Sequence, residues 1–203
     1  LADYLDRLLD SARRLNLSWI PDSTEISGRL SSYLDDLGND YSGLVRICLF
    51  DELIGLSDRP ANSNGNPVEG WLLNYRRPEP LAKSTAEKEL YGALSELEVE
   101  KEDWVIIDPK DNDLRETATS NLIFAGGKNL LIPEKFILQG IVLRKLLPLL
   151  NFKFSITRGT PQDNELSDFD EILLCGTGRG VAPLSALSEL GWNSRGDILF
   201  NQV

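Results

Sequence analysis

The chain has 203 residues, 41% hydrophobic and 26% charged, with 32 acidic against 21 basic side chains and a formal charge of −11, a composition that suits one large globular domain or two small ones with a real core. It contains no histidine, no methionine and only two cysteines, Cys48 and Cys175; a Ser-His-Asp triad is impossible, neither a thiolate zinc site nor a disulfide framework is credible, and any catalysis falls to lysine, carboxylates or a bound cofactor. The acidic balance argues against nucleic acid or an anionic membrane as a partner, and with no long apolar run and no signal peptide the expected location is cytoplasmic.

Leu1, Leu5, Leu8, Leu9, Ala12 and Leu15 recur at helical spacing opposite Asp6, Asp10, Arg13 and Arg14, which predicts an amphipathic helix at the edge of a core. Pro21-Asp22-Ser23 breaks the chain, and Ser23 or Thr24 is placed to cap a second helix running through Leu37 and ended by Gly38. Residues 43–50 and 71–75 read as strands, with a polar loop from Ser57 to Pro67 that holds Asn62 and Asn64 between them. The two prolines of Arg76-Arg77-Pro78-Glu79-Pro80 bar helix and ladder alike. The expected division is therefore a smaller N-terminal α/β domain over 1–77, a linker over 78–82 and a C-terminal domain over 83–203.

Beyond the linker the pattern predicts a helix over about 84–97, a buried strand over 104–108 and a hairpin over 121–132 turned by Gly126-Gly127. A helix opening at Gly140 and stopping near Pro148 follows, then strands over 152–157 and 171–175 and a last helical stretch near Pro183. The fold class is α+β, with a strand-rich second half.

Lys83 follows the prolines at the predicted start of a helix, where the macrodipole disfavours a cation and favours the free amine that a Schiff-base lysine needs. Glu116 stands just ahead of Thr117, Thr119, Ser120 and Asn121, short donors suited to holding a buried carboxylate. Gly140 before a helix and Gly176-Thr177 after a strand each offer backbone N–H groups to a phosphate.

In this order the chain resembles the fold-type IV pyridoxal-phosphate enzymes, the class IV aminotransferase family. Leu5 to Ala12 is similar to that family's HLxRLxxSA helix, Glu116 to Phe124 to its E-x-x-x-S-N-[LI]-F signature, Leu138 to Arg144 to its LPGITR segment and Asp170 to Pro183 to its DE-[VI]-x-x-x-[GT]…P segment. The resemblance implies a two-domain fold like that of D-amino-acid aminotransferase, with the opening strands before Leu1 missing from the chain, and a homodimer. It implies pyridoxal 5'-phosphate as cofactor, with Lys83 as the Schiff-base lysine and proton shuttle and Glu116 on the pyridine nitrogen. Asn121 joins the cofactor-binding set, and Arg7, Gly140, Ile141, Val142, Gly176 and Thr177 form the phosphate cradle, Val142 standing where the family has Thr.

Two features resemble the 4-amino-4-deoxychorismate lyases more than the aminotransferases: the run Lys83-Ser84-Thr85 to Tyr91, and Arg179-Gly180 after the Gly-Thr turn. The lyase would release 4-aminobenzoate and pyruvate from a small-molecule amino substrate, a step of folate biosynthesis. Arg46, Arg76, Arg77 and Arg179 are the candidates for holding that dianion, Arg179 foremost. The alternatives are a branched-chain or D-amino-acid aminotransferase and a member that binds without catalysis.

Overall fold

The computed structural model describes residues 1–61 and 64–203. The chain divides into two compact units, Leu1–Asn62 with Ala82–Ser84, and Ser63–Leu81 with Thr85–Val203.

Among the described residues the first unit carries two helices and one hairpin. Helix α1 (Ala2–Arg14) buries Leu5, Leu9, Ser11 and Ala12, as the apolar stripe predicts. Helix α2 (Ser23–Leu37) is capped by Asp22, whose side chain accepts from the Glu25 N–H, rather than by Ser23 or Thr24. It ends at Gly38, whose φ of 84° suits glycine. Strand β1 (Gly43–Phe50) pairs antiparallel with β2 (Leu53–Pro60) through a two-residue connection, Asp51-Glu52. The predicted polar loop thus begins too early, at Ser57, because residues 57–60 continue the β2 ladder; Asn62 of that loop lies outside the described residues. Leu5, Leu9 and Ile26 form a small core with Ile47, Leu49 and Ile54 packed against it.

In the second unit, six strands pair in a closed ring: β3 (Val68–Asn74), β4 (Glu102–Ile107), β5 (Leu114–Thr117), β6 (Asn121–Gly126), β9 (Glu171–Gly176) and β10 (Gly180–Leu187), with β10 returning to β3. Strands β7 (Asn129–Ile132) and β8 (Ser155–Arg158) extend the sheet from β6, and β11 (Trp192–Asn193) adds to β10. Period-two alternation sorts the ring's side chains. Leu122, Phe124, Ile172 and Leu174 join one core with Val68, Val105 and Leu184. Ile123, Ala125, Leu173 and Cys175 face the opposite way into a second core with Leu143 and Leu150 of α4 (Ile141–Leu150). Closure leaves none of these six strands as a bare edge, which β-sheets otherwise must protect.

Several boundaries differ from the sequence reading for local reasons. The unit division falls near residues 62–63 and not at the prolines, because β3 pairs in parallel with β4 and β10 and so belongs to the second unit's sheet. The helix expected over 84–97 shrinks to α3 (Lys88–Ala93) and a 3-10 turn, with Glu87 at a non-helical ψ of 68°. Helix α4 passes through Pro148 to Leu150; the proline gives up the bond to the Arg144 carbonyl and crowds it, yet the turn is kept, the Asn151 N–H reaching the Leu147 carbonyl at 3.0 Å. The region near Pro183 is strand β10 rather than helix: Pro183 is the last residue opposite β9, and at Leu184 the strand changes partner to β3. Among the described residues no helix is long and apolar enough to cross a membrane.

Candidate active site

Three strands of the ring bring sequence-distant residues into one row. Glu116 on β5 lies opposite Asn121 on β6, and Asn121 lies opposite Cys175 on β9. Asn121 donates from Nδ2 to the Leu138 carbonyl at 2.8 Å and accepts at Oδ1 from the Gly140 N–H at 2.7 Å. Glu116 Oε2 accepts from the Leu138 N–H at 3.4 Å. The segment leading into α4 is therefore hung from two side chains of the row.

That suspension leaves no room at two glycines. A Cβ on Gly140 would stand 2.2 Å from Asn121 Oδ1, and one on Gly176 would stand 2.7 Å from Ser120 Oγ and 3.0 Å from the Thr119 carbonyl. A Cβ on Gly140 would also come to 3.9 Å from the Cys175 carbonyl, so the start of α4 and the end of β9 lie side by side. Gly140 is the N-cap of α4 with no side chain capping it, which leaves the N–H groups of Ile141 and Val142 at a helix end suited to an anion. The predicted cradle residues Gly140, Ile141, Val142 and Gly176 are thus gathered together, with Thr177 exposed in the next turn.

Behind the row, Glu116 is one member of a buried charged network. Arg77 Nη1 donates to Glu116 Oε1 at 3.0 Å, while its Nε and Nη2 grip Glu87 at 2.9 and 2.6 Å. The three side chains are 5–9% exposed. Tyr75 donates to Glu87 at 3.4 Å, and burial, then the Glu87 charge, push its phenol above the ordinary range. Burial pulls the Arg77 guanidinium's pKa down, but its bonds to Glu87 and the charge of Glu116 outweigh that and raise it above the ordinary value. Tyr75, Arg77, Ile106, Glu116 and Phe136 line part of a cavity of about 220 Å³.

Other predicted residues have different surroundings. The hydroxyls of Thr117 and Thr119, expected to hold Glu116, go to Asp103, at 2.7 and 2.5 Å. Arg179, expected to meet substrate, donates to the carbonyls of Val99 at 2.7 Å, Glu102 at 3.3 Å and Glu100 at 3.4 Å, and stands 3.7 Å from Asp103. Arg76 is ion-paired with Asp108 and Asp111. In the first unit, Lys83 is exposed and its backbone N–H donates to Ser11 Oγ on α1 at 3.0 Å. It lies five residues before α3, so the helix-dipole argument for its amine does not apply. Arg7 is half-buried on the same α1, its guanidinium 5.6 Å from the Tyr4 ring. Arg46 is exposed on β1 and donates to Ser57 Oγ at 3.3 Å.

Sequence reasoning passed over Asp103, Glu87 and Tyr75 altogether. No local pattern marks them, since their partners lie 10 to 16 residues away. Ser11 did leave a signal: a small polar residue beside the apolar stripe of α1, where it is 2% exposed.

A family model described as amino-transferase class IV matches residues 1–187. No curated protein matches significantly. Among solved structures, a protein described as a 4-amino-4-deoxychorismate lyase from Legionella pneumophila is 19% identical with a TM-score of 0.81, over 99% of this chain and 82% of that one. A protein described as a branched-chain amino acid aminotransferase from Thermotoga maritima is 23% identical with a TM-score of 0.82, over 99% and 77%. An aminotransferase from Brucella abortus bound to PLP is 19% identical with a TM-score of 0.79, over 98% and 79%. At these identities the likeness is one of fold.

Proposed function

The chain belongs to the class IV aminotransferase family, and on that premise we propose that it is a pyridoxal-phosphate enzyme acting as a 4-amino-4-deoxychorismate lyase. The observation that carries the cofactor reading is the row itself: a buried carboxylate, Glu116, on the same sheet register as an uncapped helix start and a glycine turn that side chains would fill. A carboxylate held by a guanidinium suits a ring nitrogen, and the two glycine segments suit a phosphate ester. The donor set fits the cofactor.

When bound, pyridoxal phosphate supplies an electron sink joined to the substrate's amine-bearing carbon. The chain's residues do the rest. The N–H groups of Ile141 and Val142, with Thr177, would hold the phosphate, and the family resemblance adds Arg7 to that set. Glu116 would accept a hydrogen bond from the cofactor's ring nitrogen, and Arg77 keeps that carboxylate in place. The Lys83 amine would take the proton from the amine-bearing carbon of 4-amino-4-deoxychorismate. As the substrate's own ring becomes aromatic, its carbon–oxygen bond to the enolpyruvyl group would break with the electron pair going to oxygen; the enolate released would take a proton at its methylene carbon, from the Lys83 ammonium or water, and leave as pyruvate beside 4-aminobenzoate. Arg46 is the remaining candidate for the substrate's carboxylates.

The lyase reading rests on the Lys83-Ser84-Thr85 to Tyr91 run and on Arg179-Gly180. Branched-chain or D-amino-acid transamination is the alternative, supported by the likeness in fold to branched-chain aminotransferases. Purified protein incubated with 4-amino-4-deoxychorismate and no keto acid is expected to release pyruvate, and Lys83→Ala to abolish the release. Turnover only when a keto acid is supplied establishes the aminotransferase instead. If adding pyridoxal phosphate produces no new visible absorbance band in the unsubstituted protein, both enzymatic readings are wrong and the non-catalytic one stands.

A further inference from the structure

Asp103 stands near the start of β4 with no exposed surface, and its Oδ1 has no hydrogen-bond partner among the described residues. Burying a carboxyl with one oxygen unsatisfied is costly, so packing does not explain why an aspartate occupies the position. Its connections suggest what it does. Oδ2 accepts from Thr117 and Thr119 in the turn between β5 and β6, and the Thr117 hydroxyl oxygen accepts in turn from the Ser120 N–H at 2.8 Å. On its other side is Arg179, in the turn between β9 and β10, whose guanidinium holds the backbone carbonyls of 99, 100 and 102 leading into β4. These two turns press together at Gly176, where a Cβ would strike Ser120 Oγ and the Thr119 carbonyl.

We propose that Asp103 and Arg179 are positioning residues for the anion cradle: together they fix the Gly176-Thr177 turn against the Thr117–Asn121 segment, whose Asn121 also fixes the start of α4. Neither touches cofactor or substrate. The inference rests on the pyridoxal-phosphate reading and gives Arg179 a task other than substrate recognition.

The test compares the affinity of the full apo chain for pyridoxal phosphate with its affinity for pyridoxal, which lacks the phosphate, by absorbance titration. Arg179→Ala and Asp103→Ala are expected to lower the preference for the phosphorylated ligand about tenfold, the scale of losing one hydrogen bond to a charged group. Pyridoxal affinity should hold steady, and Arg179→Lys and Asp103→Asn should recover part of the preference. A merely structural role would lower both affinities in parallel, and that result, or an unchanged preference in both alanine variants, overturns the inference. If Asp103→Ala does not fold, Arg179→Ala and Thr119→Val decide it by the same ratio. An unsubstituted protein that prefers neither ligand overturns the cofactor reading and this inference with it; a normal preference left untouched by the variants overturns this inference alone.

Discussion

Strand β4 has a buried aspartate at each end, and the two are held by different chemistry. Asp108, 1% exposed, is gripped by Arg76 at 2.7 Å and Arg115 at 2.7 Å, and accepts the N–H groups of Lys110 and Asp111 at 2.9 and 3.1 Å. Asp103, wholly buried, is held chiefly by two hydroxyls, with its nearest guanidinium nitrogen 3.7 Å away. Burial works against ionisation at both. At Asp108 it is more than offset by the Arg76 hydrogen bond, the two N–H groups and the Arg115 charge, and the carboxyl lies below its ordinary range. At Asp103 burial prevails over Thr119, Thr117 and Arg179, and the carboxyl lies above it. Burial alone thus does not set the sign of the shift; the charge and number of the donors do.

The largest effect expected from this contrast is on Asp108. Asp108→Ala takes one of three carboxylates from Arg115, which keeps Asp111 and Asp113, and leaves the Lys110 and Asp111 N–H groups without their acceptor; it should cost about 2 kcal/mol in urea unfolding, as losing buried hydrogen bonds to a charged group does. Asp103→Asn, which keeps an acceptor for the two threonines, should cost about 1 kcal/mol at pH 4 by the same measurement. If the two costs match, the distinction between charged and hydroxyl donors fails.

The pH dependence sharpens the contrast because the signs oppose. The folded-state pKa of Asp108 is lowered, so its stabilisation is present above the unfolded value of about 4 and is lost as pH falls through the folded value. The folded-state pKa of Asp103 is raised, so its stabilisation is complete below about pH 4 and is lost as pH rises through the folded value. Urea midpoints measured from pH 3 to pH 8 should therefore show the cost of Asp108→Asn growing with pH and that of Asp103→Asn shrinking. Costs that move in the same direction contradict the assignment. The smallest effect belongs to an exposed pair of the same chemistry, Arg14 with Asp10 at 2.8 Å: Asp10→Ala should leave the midpoint unchanged within error. A marked shift there would mean that burial is not what gives the Asp108 pair its weight.

The same contrast explains what the sequence revealed. Helix α1 was legible because its information is local: apolar residues at three- and four-residue spacing. Glu116, Asn121, Gly140 and Gly176 are legible as an ordered motif; the ring's register sets Glu116 opposite Asn121 and Asn121 opposite Cys175, next to Gly176, and the Asn121 side chain draws in Gly140. Strand β2 is absent from the sequence reading because its hairpin turns on Asp51-Glu52, which carries no glycine or asparagine signal. Strand β10 reads as helix near Pro183 because a proline normally argues against a paired strand, and nothing local reveals that this strand changes partner there. Arg77 and Arg179 were visible as arginines, but the carboxylates and carbonyls that claim them are distant in sequence. Charge can be read locally; its partner cannot.

The seam of the ring bears on how the chain reaches this state. Strand β3 is made early, yet one of its two neighbours, β10, pairs Leu184 with Val68 and Leu187 with Gly70, so the second unit cannot close until the ribosome has passed Leu187. Until then β3 and β9 each present an open row of backbone donors and acceptors. Pairings this remote in sequence fold slowly and leave such edges exposed to other chains meanwhile. A nascent chain arrested before β10 would be the form most prone to aggregate, although every residue of its Glu116–Asn121–Cys175 row had already been synthesised.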